Sequence, residues 1–191
     1  MQKTKSNALK MNNSFLNTEE LTQIGFKSYG INVLISRRAS FYSPETISLG
    51  NNVRIDDFCI LSGDISIGSQ VHISAYSALY GKFGIIMDDY TGLSPRCTIF
   101  SAMDDFSGEY LIGPMVDESK THVTGGLVHI KKHTQIGAAS ILFPNITLDE
   151  GVAVGAMSLV NQNLEAWTIY AGIPVRKIKI RNNKLLTKLD E

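Results

Sequence analysis

Large apolar residues recur at every sixth position over long stretches of this chain. Leu49, Ile55, Leu61, Ile67, Ile73 and Leu79 form one run, and after a slip of two residues around Gly81–Gly84 the pattern resumes at Met87, Leu93 and Ile99. It returns as Ile130, Ile136, Leu142, Leu148, Val154 and Val160. The position four residues later is small or β-branched, as in Val53, Cys59, Ile65 and Val71. A helix repeats every 3.6 residues and a half-buried strand alternates, so a period of six fits neither. It predicts short strands joined by tight corners, with one aliphatic side chain per corner pointing into a stack. Three such sides close a coil of about eighteen residues, and fifteen aliphatic positions predict about five coils at the strand spacing of roughly 4.8 Å. Gly50, Asp56, Gly68, Asp88, Gly137, Asp149 and Gly155 directly follow repeat positions, and both residue types suit tight turns.

The flanks are organised differently. Residues 1–30 read as a polar, loose tail over 1–17 and a short helix opened by Thr18-Glu19-Glu20-Leu21, capped by Thr or Asn and ended by Gly25 or Gly30. Residues 31–181 form the repeat domain, with 31–48 expected as an irregular first coil. Residues 101–126 break the repeat and hold Gly108, Gly113, Pro114, Gly125 and Gly126. An unperiodic insertion of that length inside a compact domain is usually functional. Residues 182–191 suit a short terminal helix.

Composition narrows the class. Of 191 residues, 43% are hydrophobic and 19% charged, which supports a packed core. Eighteen basic residues balance eighteen acidic ones, so nothing in the charge argues for nucleic acid or an anionic membrane as partner. No apolar run approaches the length that spans a bilayer, and residues 1–17 lack the apolar stretch of a secretion signal. Two cysteines, Cys59 and Cys97, make no disulfide framework. A cytoplasmic protein without membrane insertion is expected.

The repeat resembles that of the hexapeptide-repeat acyltransferases, above all the galactoside, maltose and O-antigen sugar acetyltransferases, over roughly residues 30–180. The most specific segments are Ile136-Gly137-Ala138, Val154-Gly155-Ala156-Met157-Ser158-Leu159-Val160 and Tyr170-Ala171-Gly172-Ile173-Pro174-Val175-Arg176-Lys177-Ile178. The resemblance implies an all-β fold, a left-handed parallel β-helix, assembled as a homotrimer in which the long loop of one chain reaches a neighbour. It also implies transfer of an acetyl group from acetyl-CoA to a hydroxyl or amino group of a sugar, either a cell-surface polysaccharide or a nucleotide-linked sugar. A xenobiotic acceptor is a variant of the same chemistry. A non-catalytic scaffold and a γ-carbonic-anhydrase-like metal hydratase share the fold and stand as alternatives. His129 and His133 lie four apart, a spacing that turns them to different sides of a six-residue coil, so no metal is expected.

Candidate residues follow from what acetyl-CoA offers. A pantetheine arm needs close approach to backbone beside small side chains, and by resemblance Ala138, Ala156 and Asn161 line its channel. The phosphates call for cations near the last coil, and Arg176 and Lys179 stand where similar enzymes carry them. Trp167 and Tyr170 are candidates to stack near the adenine. The acceptor side departs from the resemblance. Similar enzymes carry a general-base histidine after a segment like Leu93-Ser94-Pro95-Arg96-Cys97-Thr98-Ile99, and the gap-free count lands here on Asp104. Three readings remain open. Asp104 or its neighbour Asp105 serves as the base; another histidine, His72 or His122, serves; or the acceptor is an amine that binds a carboxylate and attacks with little help.

Overall fold

The computed structural model describes residues 14–189, and in it the hexads wind into a triangular parallel β-solenoid. The first face stacks Leu34–Ile35, Arg54–Ile55, His72–Ile73, Gly92–Leu93, Gln135–Ile136, Ala153–Val154 and Thr168–Gly172. The second carries Ser40–Tyr42, the opening halves of Ile60–Ile67 and Ala78–Met87, then Thr98–Phe100, Ile141–Leu142 and Leu159–Val160. The third carries Ser28–Tyr29, Ile47–Leu49, the closing halves of the same two long strands, Val128–Ile130 and Ile146–Leu148. This is the left-handed parallel β-helix expected, with seven rungs on its first face rather than about five coils. Seven rungs at strand spacing span roughly 29 Å.

The two additional coils lie at the ends, where the register slips. Residues 31–48, expected to be irregular, form a regular coil: Tyr29 pairs with Leu49, Ile35 with Ile55 and Phe41 with Leu61. The turn Pro44–Thr46 adds two residues and hides the period. At the far end Val154 pairs with Tyr170, so a buried tyrosine takes the aliphatic position after a coil two residues short. All fifteen repeat positions are buried, from Leu49 at 4% exposure to Ile136 and Val160 at zero. A continuous apolar axis of this kind is the main source of stability, at about 25 cal/mol per Å² buried.

The corners differ from expectation. The left-handed residue stands three places after the aliphatics of the first and third faces: Asn52, Phe58, Gln70, Tyr76, Tyr90, Arg96, His133, Ala139 and Met157 all have φ between 54° and 65°, and Asn145 repeats this once after the second face. Each such non-glycine residue costs roughly 1–2 kcal/mol, offset by corner hydrogen bonds from one coil to the next, such as Gln70 N to Asn51 O and Tyr90 N to Ser69 O, both 2.9 Å. The glycine directly after the aliphatic has another purpose. A Cβ on Gly50 would stand 2.6 Å from the Gly68 carbonyl carbon of the next coil.

The ends are closed by short helices. Thr18–Ile24 is capped by Asn17, whose side chain accepts from the Glu20 amide, and stops at Gly25. Residues 1–13 of the expected loose tail lie outside the described residues. Residues 14–17 are paired, with Leu16 N donating to Ile35 O at 2.8 Å. The terminal helix is a 3-10 turn, Lys184–Lys188. No helix among the described residues is long and apolar enough to cross a membrane.

Candidate active site

The insertion at 101–126 leaves and re-enters the solenoid through a two-stranded antiparallel ribbon, Ala102–Met103 against Thr124–Gly125. Beyond that root it arches over the second face and encloses a cleft of about 850 Å³, within the size range of small-molecule sites. The solenoid wall is aromatic. Tyr80, Phe100 and Phe143 each directly follow a repeat aliphatic and stand in register on successive coils. The Tyr80 and Phe100 rings stack at 5.4 Å with their planes 12° apart. The loop contributes Met103, Phe106, Pro114, Val116 and Val123. Three charged side chains face this apolar space, Lys82, Asp104 and Glu118.

Asp104 and Asp105, adjacent in sequence, have separate fates. Asp104 is exposed and lines the cleft. Asp105 closes a turn: Ser107 Oγ donates to its Oδ1 at 2.8 Å and Gly108 N to its Oδ2 at 2.9 Å. The Ser107 hydroxyl first, and the loop amides with it, hold the Asp105 carboxyl below the usual range. A carboxylate so stabilised is a weak base, and this one does not line the cleft.

The histidines are dispersed. His72 lies exposed on the first face, its Nε2 2.7 Å from Asp56 Oδ2, while Arg54 Nε donates to Asp56 Oδ1 at 2.7 Å. Burial opposes ionisation of Asp56, but the Arg54 and His72 contacts outweigh it and the carboxyl is held low. His72 is therefore on a different face from the cleft. His122 stacks on Tyr110 within the loop at 4.9 Å. His129 faces Asp88 at 3.0 Å on the third face, and His133 is buried at a corner between Tyr90 and Trp167. The last two do turn to different sides.

The CoA candidates fall in two groups along one end. Ala138 and Ala156 occupy the same corner on consecutive coils, where Met157 N donates to Ala138 O at 2.7 Å. Asn161 is exposed and follows Val160, whose carbonyl accepts from Phe143 N, so it stands one coil beyond the aromatic wall. Arg176 and Lys179 are exposed on the last strand, Val175–Ile180, which folds back antiparallel on Thr168–Gly172 after the cis Ile173–Pro174 bond. Lys177 is committed to Glu165 at 2.7 Å, and Arg181 donates to the carbonyls of His133, Gly151 and Val152. Arg176 and Lys179 make no such pair among the described residues. Of the two residues expected near the adenine, Tyr170 is instead buried in the core and accepts from Glu165 N through its hydroxyl. Trp167 lies over Gly151 and faces His133, 6.2 Å between centroids.

No protein-family profile matches the chain. It is 44% identical over 176 residues to the dTDP-4-amino-4,6-dideoxy-D-glucose acyltransferase of Escherichia coli, covering 91% of this chain and 92% of that protein. The chain belongs to this family of acyltransferases. Its structure superposes on AntD, an N-acyltransferase from Bacillus cereus, solved with dTDP and 3-hydroxybutyryl-CoA. They share 55% identity with a TM-score of 0.90, covering 93% of this chain and 95% of that one. A second AntD structure holds dTDP-4-amino-4,6-dideoxyglucose and coenzyme A, at 54% identity and TM-score 0.90, covering 94% and 96%. A maltose O-acetyltransferase from Clostridium difficile shares the fold at 22% identity and TM-score 0.58, covering 90% and 81%.

This acyltransferase thus uses a CoA thioester as donor and a small sugar as acceptor, and the scaffold and hydratase alternatives are set aside. Sequence reasoning found Asp104 but missed the rest of the cleft. Tyr80, Phe100 and Phe143 carried a signal, because they break the Gly/Asp preference after the repeat aliphatic. Lys82 carried another, since it sits in the two-residue slip at Gly81–Gly84.

Proposed function

We propose that this chain transfers an acyl group from an acyl-CoA to the amino group of a nucleotide-linked 4-amino-4,6-dideoxy sugar, with Asp104 holding the acceptor nitrogen. The observation that carries this is an exposed carboxylate in an aromatic-walled cleft, at the position where similar O-acetyltransferases place a histidine. A sugar hydroxyl needs a base of near-neutral pKa, whereas a sugar amine needs only to be oriented and to lose one proton. The Asp104 carboxylate binds the ammonium and accepts that proton. The nitrogen lone pair then attacks the thioester carbon, the C–N bond forms and the C–S bond breaks. The nitrogen gives up its second proton as the amide forms, CoA leaves as a thiolate that takes up that proton, and the products are an amide and free CoA thiol.

On the donor side, the pantetheine arm runs past Ala138 and Ala156 toward Asn161, with the phosphates at Arg176 and Lys179. The domain limits follow the same reading: an N-terminal cap over 1–30, the solenoid over 31–181 with its loop at 101–126, and a tail over 182–191. A homotrimer with sites between chains is supported by apolar side chains that the loop leaves exposed outside the cleft lining, Leu111, Ile112 and Met115, Met115 at 95%. AntD has been solved with a substituted serine and with a substituted aspartate. The two positions are separated by the same interval as Ser94 and Asp104 here. Ser94 stands at the corner before Thr98–Phe100 and Asp104 follows that strand. The cytoplasm, where acyl-CoA is available, is the place for this reaction.

The test is thiol release from acetyl-CoA and 3-hydroxybutyryl-CoA with paired acceptors, a dTDP-linked 4-amino-4,6-dideoxy sugar and its 4-hydroxy counterpart. Turnover with the amine alone is expected. Equal turnover of the hydroxyl sugar contradicts the reading.

A further inference from the structure

The slip at Gly81–Gly84 is a bulge in an otherwise continuous ladder. Gly63 pairs with Gly81 and Ile65 pairs with Ile85, so the single residue Asp64 faces three, Lys82, Phe83 and Gly84. Bulges re-aim side chains and cluster beside active sites. This one is fastened at the root of the loop. Phe83 N donates to Ser101 Oγ at 2.8 Å, and Ser101 Oγ donates to Tyr80 O at 3.0 Å. The Phe83 ring lies against Gly125, where an added Cβ would stand 2.7 Å from Cδ2. With Phe83 fixed to the ribbon, its neighbour Lys82 lines the cleft.

Lys82 is the cation among the cleft's lining residues, and Asp104 lines the same space. Neither is paired with an opposite charge among the described residues. With Glu118 as a second carboxylate on the loop side, one cation and two carboxylates line this aromatic-walled cleft, and Lys82 and Asp104 make a two-point receptor for a ligand carrying both charges. A nucleoside-diphosphate-linked aminosugar is such a ligand, with the diphosphate and the ammonium on opposite sides of one sugar ring. We propose that Lys82 binds the acceptor's diphosphate and thereby selects nucleotide-linked aminosugars over free ones. The assignment rests on the reading that Asp104 receives the amine, and it fixes the orientation: ammonium at Asp104, sugar ring along Tyr80 and Phe100, phosphates at the bulge. A lysine suits this as a point charge on a flexible stem.

The test compares the wild type with Lys82→Gln and Lys82→Arg, using acetyl-CoA with a dTDP-linked aminosugar and with the same aminosugar lacking phosphate. Lys82→Gln is expected to raise KM for the nucleotide-linked acceptor by about tenfold, with KM for acetyl-CoA within about twofold of wild type. The preference for nucleotide-linked over phosphate-free acceptor shrinks by the same factor, and Lys82→Arg restores most of it. Calorimetry with dTDP alone reads the same site without turnover, and its Kd weakens about tenfold in Lys82→Gln. The calorimetric arm keeps the two proposals separable. If the wild type acylates no amine yet dTDP binding depends on Lys82, the functional reading fails and the anion site stands. A rise in KM for acetyl-CoA alone, an equal loss on both acceptors, or unchanged dTDP binding overturns the proposal.

Discussion

Replacing Gly151 by alanine tests how the last coils are held together. Gly151 occupies the corner position that is left-handed on every coil, at φ +70°, and a methyl group there costs roughly 1–2 kcal/mol in backbone strain. The larger cost is steric. The new Cβ would stand 2.5 Å from Cδ2 and Cε3 of Trp167, about 1 Å inside ordinary carbon contact. The ring has to move off the corner, loosening its stack on His133 at 6.2 Å and losing about 0.5–1.5 kcal/mol of aromatic contact. Together these predict a destabilisation of about 1.5–3.5 kcal/mol. Urea unfolding at one fixed protein concentration measures it, because subunit association shifts apparent stability. The control is the Trp167→Ala background, where the ring is gone and only the backbone cost of about 1–2 kcal/mol remains. Equal costs of Gly151→Ala in both backgrounds would refute the argument that the indole is what excludes a side chain here.

Other expectations follow from the same geometry. Arg181→Met removes three guanidinium donations, to His133, Gly151 and Val152 carbonyls at 2.7, 3.0 and 3.2 Å. It should cost about 2–4 kcal/mol in urea unfolding, and an unchanged midpoint rejects the clasp. Arg176→Ala and Lys179→Ala should each weaken CoA binding by about 1–3 kcal/mol, more at low salt. Calorimetry at two ionic strengths checks both, and salt-independent or undiminished affinity would remove them from the phosphate site. Burial pushes the Cys59 thiol up to about 11 and Cys97 upward. A disulfide exchange reagent at pH 8 should therefore label neither cysteine until the chain unfolds, and rapid labelling of the native protein contradicts the packing.

Much of the fold was legible because one constraint repeats. Every coil must fill the same triangular axis, so Leu49, Ile55, Ile136 and Val154 announce themselves by interval alone. The end coils escaped because their corners differ in length. Two extra residues at Pro44–Thr46 displaced Ile35 and Phe41 from the count, and the shortened coil before Tyr170 put an aromatic where an aliphatic was sought. Left-handed corner positions were illegible in residue type, since tyrosine, glutamine and arginine all occupy them when the stacked backbone compensates their strain. The cleft is a product of an unperiodic loop folded against a periodic wall. Only Asp104 could be placed from sequence, by its distance from a recognisable hexad, while its functional separation from Asp105 depends on a local turn.

The central claim is that Asp104 receives the acceptor's amine in the cleft. Its most direct test is the steady-state rate of Asp104→Asn on the dTDP-linked aminosugar, measured by CoA thiol release, with acetyl-CoA affinity determined in parallel by calorimetry. Asparagine keeps the shape but neither holds an ammonium as a counter-charge nor accepts its proton, so kcat/KM for the acceptor should fall by about 10²–10⁴ while CoA binds as before. An Asp104→Asn enzyme that acylates the aminosugar at the wild-type rate would contradict the account.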